Sequence, residues 1–146
     1  MVDVRREIKA PVASVWGVLS DGWLYPSWVV GASRMRAVDD SWPAVGSELH
    51  HSLGGWPVML NDTTRVVAST PHKELVMRGR GWPMGEVEIQ ILLEPRPGEH
   101  CEVVMKEDVI SGPTKLLPYP VRAALIGTRN GETLRRLAYL AEGGSR

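Results

Sequence analysis

His50 and His51 stand side by side at the start of the stretch "HHSLGGWPVMLND", which an aspartate, Asp62, closes twelve residues after His50. Two imidazoles and a carboxylate are the residue types of a metal centre or of an acid–base pair, and the two readings need different geometry. On a strand, neighbouring side chains point to opposite faces, so adjacent histidines cannot share one ion. No third ligand stands at a recognisable spacing, so a metal site is not expected. With "GGWP" as a four-residue turn, Leu53 faces Val58, His51 faces Leu60 and Leu49 faces Asp62 across an antiparallel pair. His51 and Asp62 are then diagonal neighbours, roughly 7 to 8 Å apart at the backbone. They share the apolar face of Leu49, Leu53, Val58, Leu60 and Val66, while His50 and Glu48 point away. A carboxylate there favours the imidazolium and fixes one tautomer, as a general base or a partner for a ligand hydroxyl requires. A satisfied polar pair under a hairpin has the same pattern, and a one-residue slip would turn both groups outward.

Two further polar groups fall on apolar faces. In "CEVVMKEDVI", Cys101, Val103, Met105, Glu107 and Val109 form the more apolar set, and Glu107 lies in it. A carboxylate on an inward face must be paired, hydrated or protonated. A salt bridge at the mouth of the sheet answers that demand as well as a functional role does. Near the C-terminus, steps of 100° group Ala123, Ile126, Asn130, Thr133, Leu134, Leu137, Leu140 and Ala141 into one stripe, with Asn130 near its middle. Its amide can bond a ligand oxygen, a strand residue or a buried water. Arg129, Arg135 and Arg136 belong to the opposite, solvated face. The catalytic candidates are thus His51, Asp62 and Glu107, without a fixed spacing that proves catalysis. Cys101 reads as a small core residue.

The elements that position these groups follow from period and punctuation. "VDVRREIKA" suits a short edge strand that Pro11 stops. "APVASVWGVLSD" spaces Val12, Val15, Trp16 and Leu19 as an amphipathic helix, and "LYPSWVV" supplies a second short helical piece. From about residue 32 the period becomes two, giving six strands in a meander: "RMRAV", "SELHHSL", "VMLNDTTRVVA", "ELVMRGR", "GEVEIQILLE" and "CEVVMKEDVI". In the fifth of these, Val87, Ile89, Ile91 and Leu93 face inward and Glu86, Glu88 and Gln90 outward. The helical period returns from about Val121 to Glu142, where Gly127 and Gly131 each lower helix stability by about 1 kcal/mol relative to alanine. Trp-Pro recurs at Trp42, Trp56 and Trp82, always between strands, and predicts tryptophans gathered at a cavity rim.

Composition bounds the function. With 146 residues, 43% of them hydrophobic, the chain builds one domain with a sizeable core. Seventeen Lys and Arg balance seventeen Asp and Glu, with no basic run, so neither nucleic acid nor an anionic membrane surface is an expected partner. One cysteine cannot form an internal disulfide, the N-terminus is charged from its third residue, and no apolar stretch approaches the roughly 18 to 20 residues of a membrane span. A cytoplasmic protein without membrane insertion is the expectation.

The order of one strand, two short helices, six antiparallel strands and a long helix resembles the SRPBCC superfamily, also called START-like or Bet v 1-like. More narrowly, "IKAPVASVWGVLSD", "YPSWVVG", "WPAVGSELHHSLGGWP" and "VVMKEDVISGP" are similar to its bacterial branch described as polyketide cyclase/dehydrase and lipid transport. The resemblance spans nearly the whole chain. It implies an α+β helix-grip fold: a seven-stranded antiparallel sheet wrapped around the C-terminal helix, as one START-like ligand-binding domain over residues 1–146. It further implies a small hydrophobic ligand, a lipid, polyketide or aromatic metabolite, held between sheet and helix without cofactor or metal, in a monomer or homodimer. The expected contacts are Leu49, His51, Leu60 and Asp62 from the hairpin, and Met77, Ile89, Met105 and Glu107 from later strands. Ile126, Asn130 and Leu134 complete them from the helix. An aromatase/cyclase enzyme using the cavity's acid–base residues is the alternative, and a protein-interaction module the second. Tyr25, Tyr119 and Tyr139, the only tyrosines, fall on no strand face where a donor to a ketone oxygen would stand, which favours binding.

Overall fold

The computed structural model describes residues 1–55, 58–80 and 85–143; within these, the side chains of residues 33, 53–55, 58–60 and 80 lie outside the description. Strand β1 (Val2–Ile8) leads into helix α1 (Val12–Ser20), a 3-10 turn (Gly22–Leu24) and the one-turn helix α2 (Tyr25–Trp28). Six strands follow: β2 (Ala32–Val38), β3 (Glu48–Gly55), β4 (Val58–Thr70), β5 (Glu74–Arg80), β6 (Glu86–Arg96) and β7 (His100–Ser111). A 3-10 turn (Pro113–Leu116) then feeds helix α3 (Tyr119–Ala141). All pairings are antiparallel in the order β1-β7-β6-β5-β4-β3-β2, so the six later strands form a meander and β1 closes onto its last member. Helix α3 packs against β1, β7, α1 and α2. This is the α+β helix-grip layout expected.

Helix α3 begins two residues before Val121, because Pro120 sits in its first turn, where its missing N–H costs no hydrogen bond. Of its buried residues, Ile126, Asn130, Thr133, Leu134 and Leu137 follow the predicted stripe; Ala138, outside it, is buried as well, while Ala123, Leu140 and Ala141 are only half-buried. The two ends of that stripe meet different surroundings. Leu134, Leu137 and Ala138 join Val15, Trp16 and Leu19 of α1, together with Leu49, Leu75, Ile91 and Val103 of the sheet, in a filled apolar core. The earlier turns of α3 face a cavity instead.

Trp42 departs from the expectation of a rim. It is buried in that core, and its indole Nε1 donates to the Leu19 carbonyl at 3.0 Å, tying the β2–β3 connection to the end of α1. Burial of the ring and satisfaction of its one donor outweigh the preference of a Trp-Pro step for the surface. Trp56 and Trp82 lie outside the described residues.

Gly22 is where α1 hands over to α2. A Cβ there would stand 2.6 Å from Leu49 Cδ2 and 2.8 Å from Val38 Cγ1. Gly22→Ala is therefore expected to cost about 1–3 kcal/mol through overpacking, read as a lower urea midpoint at unchanged slope. An unchanged midpoint would mean that the two side chains give way freely.

Candidate functional site

The hairpin carrying the histidines is tighter than the four-residue turn predicted. Strands β3 and β4 run on through Gly54 and Gly55, pairing Gly55 with Val58, Leu53 with Leu60, His51 with Asp62 and Leu49 with Thr64. The register differs from the expected one by two residues. An even shift preserves the face of every side chain but changes its neighbours. His51 now lies directly opposite Asp62, and Thr64 becomes its diagonal neighbour. The imidazole is hydrogen-bonded to Thr64, Nε2 to Oγ1 at 2.7 Å. Asp62, also buried, accepts from the Thr63 amide through Oδ1 at 2.7 Å. His50 points the other way, with Nε2 3.2 Å from Asp39 Oδ1.

The electrostatics of His51 are opposite to the expectation. It is 2% exposed, and its pKa falls to about 4: burial comes first, then the positive charges of Arg36 and His50. Arg36 of β2 reaches across β3 to donate to the Asp62 carbonyl at 2.9 Å and, more weakly, to the His51 carbonyl at 3.4 Å. At neutral pH His51 is an uncharged ring, stacked on Tyr25 with centroids 5.4 Å apart and planes 26° from parallel.

Tyr25 is the site residue that sequence reasoning missed. Helix α2 spans one turn and has no period to read, but it delivers Tyr25 and Trp28 together into the interior, their rings meeting edge to face at 5.3 Å. Burial raises the Tyr25 pKa, against the opposing pull of the Thr64 hydroxyl and the Arg129 charge. Tyr25, Thr64 and His51 thus form one contiguous polar group on an apolar wall.

A second polar group faces the cavity from β7 and α3. Glu107, 1% exposed, accepts from Arg129 Nη2 and from Asn130 Nδ2, the latter at 3.3 Å. The buried carboxylate on β7 is therefore paired. Its cation is the arginine assigned to the solvated face of the helix. Arg129 sits 100° round α3 from Asn130, and its long stem carries the guanidinium back to the carboxylate, leaving the side chain 40% exposed. Burial lowers the Arg129 pKa, and Tyr25 opposes that shift.

Between these groups lies a cavity of about 280 Å³. Met77 and Gly79 of β5, Val87 and Ile89 of β6, and Met105 and Val109 of β7 form its sheet wall. Val29 and Val30 close it beside α2, and Thr114, Leu117, Arg122 and Leu125 stand at its mouth. Arg122 fastens the mouth by donating to Asp108 Oδ1 at 3.2 Å and to the Leu117 carbonyl at 2.8 Å. Of the residues expected to touch a ligand, His51, Met77, Ile89, Met105, Glu107, Ile126 and Asn130 line this space. Leu49 and Leu134 belong to the filled core. Asp62 is on the His51 face but not on the cavity wall, and the Leu60 side chain lies outside the description.

Three side chains on the wall bury a polar atom that has no hydrogen-bond partner among the described residues: Trp28 Nε1, His51 Nδ1 and Asn130 Oδ1. Each such atom costs about 1–3 kcal/mol of stability where it stays unsatisfied. Among the described residues no group of three or more His, Cys, Asp or Glu side chains is placed to hold a metal ion, and no helix is long and apolar enough to cross a membrane.

A helix-grip sheet enclosing a mostly apolar cavity is the architecture of the START-like proteins, and sequence places the chain among them. It belongs to the polyketide cyclase/dehydrase and lipid transport family of the SRPBCC superfamily, which it matches over residues 1–142. Among curated proteins, none matches it. Among solved structures, a START superfamily protein from Mycobacterium smegmatis superposes with a TM-score of 0.76 at 15% identity, over 97% of this chain and 96% of that one. The Zhui aromatase/cyclase from Streptomyces sp. R1128 gives 0.74 at 17% identity, over 99% and 94%. DynU16, from the dynemicin biosynthetic locus, gives 0.69 at 19% identity over 98% of this chain, which spans about half (47%) of its length. At these identities the superpositions speak for the fold. Family membership is consistent with binding a hydrophobic ligand.

Proposed function

We propose that the chain binds a small, largely apolar molecule bearing one or a few oxygen atoms, held between the sheet and the first half of α3. The observation that carries this is the cavity itself: an apolar wall interrupted at two places by convergent polar groups, His51–Thr64–Tyr25 and Glu107–Asn130–Arg129. Its volume is just below the ~300–1,000 Å³ usual for drug-sized ligands, which suits a fused bicyclic ring or a medium-length acyl chain better than a two-chain lipid.

The aromatase/cyclase alternative asks for a proton acceptor tuned near the working pH. His51, with a pKa of about 4, is a weak base, and the Glu107 carboxylate is engaged by Arg129 and Asn130. Both observations favour binding over proton transfer. The interaction-module alternative goes with a small or filled cavity and makes no use of the polar groups on this one's wall.

Native mass spectra test the reading, taken after incubation with a mixed set of neutral bicyclic aromatics and of medium-chain alcohols and acids. A 1:1 adduct is expected with the natural protein. It should be about tenfold weaker in Ile126→Trp, where an indole fills space that a buried wall residue now borders. Absence of any adduct, or equal adducts in both proteins, overturns the proposal. Turnover of a poly-β-ketone analogue would replace it with the enzyme reading.

A further inference from the structure

We infer that residues 112–118, the strap between β7 and α3, are the gate through which a ligand enters and leaves the cavity, and that Arg122 is the latch that holds this gate shut. This rests on the binding reading above and concerns access to the same site. Among the described residues of the cavity wall only two are exposed, Leu117 on the strap and Leu125 in the second turn of α3; the others are buried or half-buried. The way in therefore passes between the strap and the start of the helix.

The strap has little to hold it by packing. None of its residues is buried: Thr114 is half-buried, the rest are exposed, and Leu116 is 88% exposed. A segment that buries no side chain loses little hydrophobic stabilisation on opening, and such segments open at low free energy. Gly112 bounds it on one side, at a φ of +96° that favours a residue without a Cβ, and Pro118, the N-cap of α3, on the other. Within it the Lys115 amide donates to the Gly112 carbonyl and the Leu117 amide to the Thr114 carbonyl, so the strap keeps a shape of its own and can swing as a unit.

One side chain fastens it on both sides. Arg122, in the first turn of α3, donates through Nη1 to the carbonyls of Lys115 at 3.3 Å and Leu117 at 2.8 Å, and through Nε to Asp108 Oδ1 of β7 at 3.2 Å. Its guanidinium also lies over the Tyr119 ring, 5.5 Å from the centroid. Strap, strand and helix are thus joined at a single residue whose planar fork suits three acceptors at once. The Arg122 and Asp108 side chains are 14% and 19% exposed, so water screens the pair poorly. Lys115 Nζ adds only a long contact of 3.5 Å to the Ile110 carbonyl. The latch bonds run between protein groups whether the cavity is empty or filled. Breaking them lowers the barrier to passage in both directions and leaves the difference between free and bound states nearly untouched, so the latch sets rates and not affinity.

Stopped-flow mixing with 2-naphthol, followed by naphthol fluorescence, gives the association rate from the concentration slope and the dissociation rate from the intercept. In Arg122→Gln, which cannot span Asp108 and both carbonyls, both rates are expected to rise about tenfold, with Kd within about twofold of the natural value. Asp108→Ala, at a residue off the cavity wall, is expected to raise both rates severalfold, and it carries the test if Arg122→Gln does not fold. Arg135→Gln, which releases Glu132 further along α3, should change neither rate. Hydrogen exchange needs no ligand: the Lys115 and Leu117 amides are expected to exchange about tenfold faster in Arg122→Gln, with the Leu137 amide in the filled core unchanged. An arginine that merely stabilised the fold would speed both sets of amides. Unchanged naphthol rates in both latch variants overturn the inference and leave the binding reading standing, even where the strap amides exchange faster, because the ligand then enters elsewhere. A rise in Kd at an unchanged association rate overturns it in favour of Arg122 as a ligand contact. Failure of 2-naphthol and of the wider probe set to bind the natural protein overturns the reading beneath it.

Discussion

Arg129→Ala is expected to be among the most destabilising single changes in the chain, although it removes a side chain that is 40% exposed. The reason is what it leaves behind. Glu107, at 1% exposure, would keep only the Asn130 amide as a donor, and removing one partner of a buried ion pair costs about 3–5 kcal/mol. For a chain of this size that is a fall in Tm of roughly 6–20 °C. The deficit should be smallest in acid, where protonation removes the stranded charge.

The converse change is asymmetric. In Glu107→Gln the amide still meets Asn130, and Arg129, already half in water, turns outward, so a loss of about 1 kcal/mol is expected. Replacing both residues by aliphatic side chains should return the protein to within about 2 kcal/mol of the natural one or above it, because neither charge is then desolvated. Urea melts of the four proteins check this. If Arg129→Ala is no worse than Glu107→Gln, the carboxylate finds another donor and the pair is not what holds it.

That pair also marks the limit of what the sequence could disclose. Strict alternation in β6 and β7 assigns Ile89, Ile91, Met105 and Glu107 to the interior with no knowledge of the partners, because a strand buried on one face allows two assignments and only one is apolar. The stripe of α3 is legible for the same reason at period 3.6. Arg129 is not, since the direction of a side chain at its root says little about where a long stem ends. Tyr25 is hidden differently: a helix of one turn has no period. At the β3–β4 hairpin both Gly54 and Gly55 are turn residues by composition, yet they continue the ladder. The face of His51 survives that misreading, since the shift is even, but its hydrogen-bond partner is Thr64.

The same histidine makes the pH dependence of stability predictable. Unfolded, His51 titrates near 6.5, whereas in the folded chain its pKa is about 4. Between those values the unfolded state holds more protons, so stability is full above about pH 6.5 and falls as the solution is acidified. The expected loss attributable to this one ring is about 2 kcal/mol at pH 5, rising to about 3 kcal/mol below pH 4, where the folded form also takes up the proton. His51→Leu removes the titrating group while keeping a buried apolar volume, and between pH 7 and pH 5 it should lose about 2 kcal/mol less than the natural protein. His50→Leu, whose ring points away from the cavity towards Asp39, serves as the control for removing an imidazole from the same strand. Carboxylates and the remaining histidines titrate in all three chains, so the differences between chains carry the result. Affinity separates the two positions again: His51→Leu, which removes a polar ring from the cavity wall, should weaken the ligand adduct severalfold, and His50→Leu should leave it unchanged. Parallel acid melts for all three proteins would mean that the buried ring is charged or reaches water at neutral pH. Equal loss of affinity at both positions would mean that the hairpin presents the other face to the cavity.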